Sequence, residues 1–321
     1  MSKDNVFTPP PALPGTHVPS KAAFDALCAQ ADKDPAAFWG KRAQELLEWF
    51  SPWHTVMDCD LKSGKIGWYL GGKLNVAHNC LDRHVAAGRG DKTAIIWEGD
   101  IEGESRKLTY AELHAEVCRF ANVLKELGLK KGDRACLYMP MIPETAVAML
   151  ACARLGLVHT VVFGGFSSAS LADRINDCEA RVLITADCVP RAGKKIPLKT
   201  SADEALAACP TVEKVIVVNR GDLPTPMTAG RDIWWHEAMT APGLEDACPA
   251  ENLDSEDMLF LLYTSGSTGK PKGVAHTTGG YLTYVAHTTQ IVFDIQDSDI
   301  YWCTADVGWI IGHSYLLYGP L

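Results

Sequence analysis

Apolar residues change their spacing several times along the chain, and each change marks an element. Ser20 can cap a first helix running to about residue 31. Asp34-Pro35 then reads as an N-cap with proline at N1, and Phe38, Trp39, Ala43, Leu46, Leu47 and Phe50 follow at helical spacing. Residues 51–75 are rich in tryptophan and glycine without a clear period and read as a packed connector. Residues 74–87 read as a helix and 93–97 as a strand. Thr109-Tyr110-Ala111-Glu112 is a capping box ahead of one apolar face, Leu113, Val117, Phe120, Ala121, Leu124 and Leu127, which Gly128 ends. Strands at 134–139, 159–163, 181–185 and 214–218 alternate with helices at 143–155, 169–178 and 201–207. That alternation predicts an α/β fold with parallel βαβ units, a doubly wound mixed or parallel sheet flanked by helices. Residues 219–257 are loop-like and suggest a junction between subdomains, anchored by Trp234-Trp235-His236. An apolar run at 258–263 that suits a buried strand, although a buried helix segment would show the same period, a helix or amphipathic stretch at 281–292, a strand at 300–304, a sharp turn at 306–309 and a helix starting at 314 complete the series.

Composition narrows the class. A chain of 321 residues exceeds the usual single-domain size, so two lobes are expected. The net charge of −9 argues against nucleic acid and anionic membranes as main partners, since both demand a basic face. The 11 cysteines include no pair at CxxC spacing and no zinc pattern with histidine. They read as buried thiols in a reducing compartment, hence a cytoplasmic protein. Residues 1–19 are polar and proline-rich and resemble no signal peptide, and no run of about 18 apolar residues occurs.

The candidate chemistry sits directly after the 258–263 run. Residues 264–273 read Thr264-Ser265-Gly266-Ser267-Thr268-Gly269-Lys270-Pro271-Lys272-Gly273. Glycines let backbone N–H groups turn toward an anion, while hydroxyls and lysines add donors and charge, so the loop suits phosphate. It is not a Walker A loop, because Pro271 follows Lys270 where that motif needs a hydroxyl residue.

Tyr263 to Val274 resembles the signature of the adenylate-forming (AMP-forming) ligases. Val161-Val162-Phe163-Gly164-Gly165-Phe166-Ser167, Thr185-Ala186-Asp187 with Arg191-Ala192-Gly193-Lys194, and Cys303-Thr304-Ala305-Asp306-Val307-Gly308-Trp309 with Gly312-His313-Ser314-Tyr315 are similar to segments of the short-chain acyl-CoA synthetases. Acetate-activating members are nearest in pattern and propionate-activating members next. The resemblance implies an N-terminal helical extension over 1–80 and an incomplete AMP-binding (adenylation) domain over 81–321. It implies a ligase that joins acetate to ATP as acetyl-AMP, releases pyrophosphate, and passes the acetyl group to coenzyme A. Magnesium is expected with ATP, although no carboxylate stands out as its ligand and no metal site is assigned. Under this resemblance Thr264, Ser265, Gly266, Ser267, Thr268, Gly269, Lys270 and Lys272 hold ATP phosphates. Gly165, Arg191, Ala192, Gly193 and Lys194 bind coenzyme A, with lysine at 194 where the family more often has arginine. Trp309, Ile310 and Ile311 line the acyl pocket, with isoleucine at 311 where the family usually has threonine. His313 reads as structural, since a carboxylate nucleophile needs no base at neutral pH; His276 and His287 read as structural or surface residues.

The family's adenine and ribose contacts, hinge and catalytic lysine come later than Leu321, so no catalytic residue is named here. The expectation is a fragment that does not form acetyl-adenylate alone. The partners expected are the small molecules acetate, ATP and coenzyme A, with oligomeric state open. Two other readings remain: an adenylating enzyme that hands its acyl group to a carrier protein, and a nucleotide-binding module without catalysis.

Overall fold

The computed structural model describes residues 14–264 and 271–321. Its centre is a seven-stranded sheet in the spatial order Asp232–Trp234, Lys214–Val218, Val182–Ala186, Arg134–Tyr138, Val158–Val161, Met258–Thr264, Lys272–Thr277. Neighbours run parallel from the first edge to Met258–Thr264. Lys272–Thr277 alone returns antiparallel, pairing Thr264 with Lys272 and Leu262 with Val274. The fold class is therefore the expected α/β one, with a mixed sheet. The inner strands are apolar almost throughout because helices cover both faces. Every residue of Val182–Ala186 is buried. Helix Pro143–Leu155 is apolar around nearly its whole circumference and is buried accordingly.

Local signals explain the element ends. The Ser20 hydroxyl accepts from Ala23 N–H and the Asp34 carboxylate from Ala37 N–H, starting helices Lys21–Lys33 and Pro35–Leu46. Thr109 and Glu112 close both halves of the capping box on Tyr110–Glu126. Gly156 ends Pro143–Leu155 in the left-handed region, where the missing Cβ removes the penalty.

Four expectations need correction. Residues 300–304 form no strand, and Ile300 and Trp302 stand 81% and 84% exposed; an apolar run without a partner has no ladder to join. Leu74 belongs to a short strand, Lys73–Leu74, paired with Leu253–Asp254, and the helical turns begin after it. Helix formation near the carboxyl end begins at Ile310, earlier than residue 314. Residues 219–257 carry the edge strand Asp232–Trp234 and helix Trp235–Met239, so strands on both sides of that segment belong to one sheet and it marks no break between sheets.

The N-terminal residues brace this core. Trp49, Trp53 and Tyr69 pack ring against ring, the Ser255 hydroxyl donates to the Trp68 and Tyr69 carbonyls, and the Tyr69 hydroxyl donates to the Trp39 carbonyl. Deeper in, Arg154 is 2% exposed and grips Asp82 with two N–H groups, both at 2.8 Å. His114 Nε2 lies 3.2 Å from the same carboxylate. Burial alone would raise the Asp82 pKa, but hydrogen bonds from Arg154 and His114 outweigh it and hold the carboxyl well below its usual range. The Asp82 hydrogen bond, helped by Cys118, lifts His114 to about 9.

A histidine raised in the folded state adds stability that is complete below its unfolded pKa, about 6.5, and vanishes as pH rises through its folded value. Chemical unfolding followed from pH 6 to 9.5 should therefore show a loss of stability that His114→Gln abolishes. Equal slopes in the two proteins would contradict the assignment.

Candidate active site

The parallel strands share one direction, so their carboxyl ends gather on one edge, where open α/β sheets bind ligands. Three sequence-identified segments follow from or lie beside that edge. Val158–Val161 leads into the turn 163–167. The buried Tyr138 hydroxyl sits 3.2 Å from the Gly164 carbonyl and 2.8 Å from that of Phe166, fixing the turn from below. Gly165 is exposed, and a Cβ there would come within 2.4 Å of the Phe163 ring. A side chain at that point would have to push the Phe163 ring aside.

The second segment is the turn at 306–312. Asp306 accepts from Gly308 N–H at 2.7 Å, and its carbonyl accepts from Trp309 N–H at 3.1 Å. Burial raises the Asp306 pKa, partly offset by the Gly308 N–H. A Cβ on Gly308 would stand 3.1 Å from Phe163 N, so this turn lies directly against the first. Trp309, Ile310 and Ile311 are exposed at 54%, 39% and 53%. A Cβ on Gly312 would sit 2.2 Å from the Asp306 carbonyl oxygen, a backbone atom with no freedom to retreat. Gly312→Ala should therefore cost about 1–3 kcal/mol and displace Trp309, as overpacked sites do. Thermal unfolding and Trp309 fluorescence would register both effects, and an unchanged melting temperature would contradict them.

The third segment is a hairpin. Cys188–Arg191 pairs with Lys194–Pro197, and Arg191 faces Lys194 across the strands. Ala192 and Gly193 both take positive φ, 49° and 75°, the conformation of a two-residue type I′ turn. Asp187 fixes the base by accepting from the N–H groups of Arg220, Gly221 and Leu223. Lys195 donates to the Gly221 carbonyl. Residues 191–194 are exposed, and neither Arg191 nor Lys194 forms a salt bridge among the described residues. The Leu198 side chain, just after the hairpin, is 3.7 Å from the position of a Cβ on Gly164, which joins this segment to the first turn.

Thr264 and Lys272 flank the candidate phosphate loop as cross-strand partners, both exposed. Ser265, Gly266, Ser267, Thr268, Gly269 and Lys270 lie outside the described residues. The strand end before the loop is tied down by Tyr263, whose hydroxyl donates to Asp177 at 2.6 Å, and by Arg174, whose guanidinium lies 4.6 Å from the Phe166 ring centre and 5.6 Å from that of Tyr263. His313 is fully buried with Nδ1 3.3 Å from the Trp309 carbonyl, and burial pushes it down to about 4. It is a core residue, neutral at pH 7. Burial also lowers His276, and His287 to about 4.

Sequence reasoning passed over Tyr138, and gave Asp187 and Arg174 no role beyond their place in or beside the segments that carry the resemblance. Nothing in the local sequence marks what they hold, since each acts on backbone or rings far along the chain. Among the described residues, no group of three or more His, Cys, Asp or Glu side chains comes together to hold a metal.

Comparison with known proteins gives the family. Residues 82–321 match the family model described as AMP-binding enzyme, and residues 24–80 match that of the acetyl-coenzyme A synthetase N-terminus. An acetyl-coenzyme A synthetase of Rubrobacter xylanophilus is 59% identical over 292 residues, covering 91% of this chain and 45% of the relative. Acetyl-coenzyme A synthetase 2 of Pseudomonas aeruginosa is 58% identical over 93% of this chain and 46% of its own length. An acetyl-coenzyme A synthetase of Magnetococcus marinus is 54% identical over all 321 residues, 49% of its length. The chain spans about half the length of the curated relatives it matches.

Proposed function

Because the chain belongs to the AMP-binding enzyme family, we propose that it is the N-terminal part of an acetate–CoA ligase. In this reading residues 1–80 are the N-terminal extension and 81–321 the front of the adenylation domain. The reaction has two steps. An acetate oxygen attacks the α-phosphorus of ATP, the bond to the β-phosphate oxygen breaks, and pyrophosphate leaves. The coenzyme A sulfur then attacks the acetyl carbon, and AMP leaves with the shared oxygen.

Phosphoryl chemistry of this kind rests on positioning and on charge placed where charge develops. Thr264 and Lys272, with the loop residues Ser265 to Lys270, supply donors and charge to the β- and γ-phosphates. Magnesium enters as part of the ATP substrate. Arg191 and Lys194 present two cations at the hairpin tip for the phosphorylated adenosine end of coenzyme A, and lysine at 194 gives up the bidentate fork. Gly165 lets the same ligand approach the backbone. Trp309, Ile310 and Ile311 form an apolar wall for the acetyl methyl group, and Ile311 brings bulk without a hydroxyl. The protein is read as cytoplasmic, working on small molecules and binding neither nucleic acid nor membrane.

The observation that supports the proposal is the contact of the 163–165 turn with the 306–312 turn on one side and with Leu198, just after the 188–197 hairpin, on the other, at the carboxyl edge of one sheet. ATP–pyrophosphate exchange tests it. The 321 residues alone should show no acetate-dependent exchange, and a protein of the relatives' length containing them should. Exchange that ignores acetate in the longer protein would refute the substrate, and turnover by the short chain would refute the need for the remainder.

A further inference from the structure

The tip of the 188–197 hairpin is exposed, so its place is set from its base. Asp187, buried at that base, takes backbone N–H groups from both sides: from Cys188 at 2.7 Å within the hairpin, and from Arg220 at 2.8 Å and Leu223 at 3.0 Å outside it. Lys195 ties the other arm by donating to the Gly221 carbonyl at 2.6 Å. The hairpin is thus fastened to the loop 219–223, and whatever holds that loop aims the tip.

Arg220 holds the loop. Its guanidinium donates to both oxygens of the Glu104 carboxylate and lies 5.3 Å from the Trp97 ring centre. A two-pronged pair on one side and a ring face on the other leave the side chain a single orientation. Trp97 and Glu104 belong to a separate two-stranded sheet, Thr93–Glu98 paired with Ser105–Thr109. Glycine at 99 lets them stand together, since a Cβ there would come within 2.9 Å of the Trp97 ring. The same indole reaches back to the edge of the main sheet. Trp97 Nε1–H donates to the Met141 carbonyl at 2.7 Å, and the Met141 sulfur accepts from Val307 N–H at 3.4 Å. Val307 is buried within the 306–312 turn.

We propose that Trp97 and Arg220 are positioning residues, a strut that holds the 188–197 hairpin in place relative to the 306–312 turn and so serves acetyl transfer to coenzyme A rather than formation of acetyl-AMP. The inference rests on the reading of Arg191–Lys194 as the coenzyme A contact. The strut is continuous in named contacts, from the hairpin through Asp187, Arg220, Trp97 and Met141 to Val307. The 306–312 turn has holds of its own, Gly308 against Phe163 and Gly308 N–H on Asp306. Breaking the strut therefore frees the hairpin and leaves the turn where it is.

Two measurements test it. In this chain, Trp97→Phe and Arg220→Gln should speed amide hydrogen exchange at residues 189–196 and 220–223 about tenfold, while the central strand Arg134–Tyr138 keeps its protection. In a protein of the relatives' length, each variant should raise KM for coenzyme A about tenfold, well within what a 1 Å misplacement can cause. Acetate-dependent ATP–pyrophosphate exchange, which runs without coenzyme A, should stay within about twofold. Thioester formation and pyrophosphate exchange falling together would mark a brace for the whole fold and overturn the proposal. Combining the two substitutions should add little to the larger single effect, because one strut is broken only once; full additivity would contradict it. Glu104→Gln, on a partly exposed turn, carries the test should either larger variant fold poorly, and should raise the same KM about threefold as a charge-assisted bond is weakened. Unchanged amide exchange in all three variants would refute the strut. An unsubstituted long protein that does not pass acetyl to free coenzyme A would instead refute the reading of the hairpin, so the two failures are told apart.

Discussion

Replacing Arg154 by methionine is expected to cost about 3 kcal/mol or more of folding stability, since removing one partner strands a buried charge. Asp82 would keep its carboxylate with His114 as its remaining side-chain partner, and its side chain is only 22% exposed. Arg154 also donates to the Cys248 carbonyl, so the loss reaches the segment that closes over helix Tyr110–Glu126. Methionine keeps the apolar stem and deletes the charge, which isolates the ion pair from packing. Urea unfolding measures the change. Adding Asp82→Asn to Arg154→Met should recover much of the loss, because no unpaired charge then remains. A single-variant cost below about 1 kcal/mol, as for an exposed pair, would contradict the account.

Lys272→Ala should lower acetate-dependent ATP–pyrophosphate exchange about 10²-fold in a protein of the relatives' length, the usual cost of removing one charge-stabilising donor. Lys272 is exposed, so its removal should leave the melting temperature in place while activity falls. Lys272→Arg, which keeps the charge, should retain part of the rate. A lysine that merely points to solvent would show no change in either quantity.

The sheet was legible where burial and period agree. Strand Lys214–Val218 and helix Pro143–Leu155 fall on the residues the pattern assigns, because each is an apolar run with clear stops. Strand Lys272–Thr277 was not legible. It is short, mostly exposed and begins inside the glycine-rich loop, and its strand character comes from pairing with Met258–Thr264. The 188–197 hairpin was hidden for a similar reason, since Ala192-Gly193 is a weak signal for a turn that needs positive φ at both positions. Residues 300–304 erred the other way, an apolar run read as a strand with no neighbour to pair.

For the site, local sequence pointed to Gly165, Arg191, Lys194, Lys272 and Trp309 through residue type and resemblance. It did not point to the groups that aim them. Tyr138 reaches the 164–166 carbonyls from a strand more than twenty residues upstream, and Gly308 meets Phe163 across 145 positions of chain. Such contacts are products of the fold and leave no local mark.

The most direct test of the central claim is product analysis of a relative-length protein that contains this chain, supplied with acetate, ATP and free coenzyme A. The account predicts acetyl-CoA, AMP and pyrophosphate in equal amounts, with thioester formation weakened when Arg191 and Lys194 are replaced by alanine. Formation of ADP and phosphate, or an acetyl group that ignores free coenzyme A and appears on a carrier protein, would contradict it.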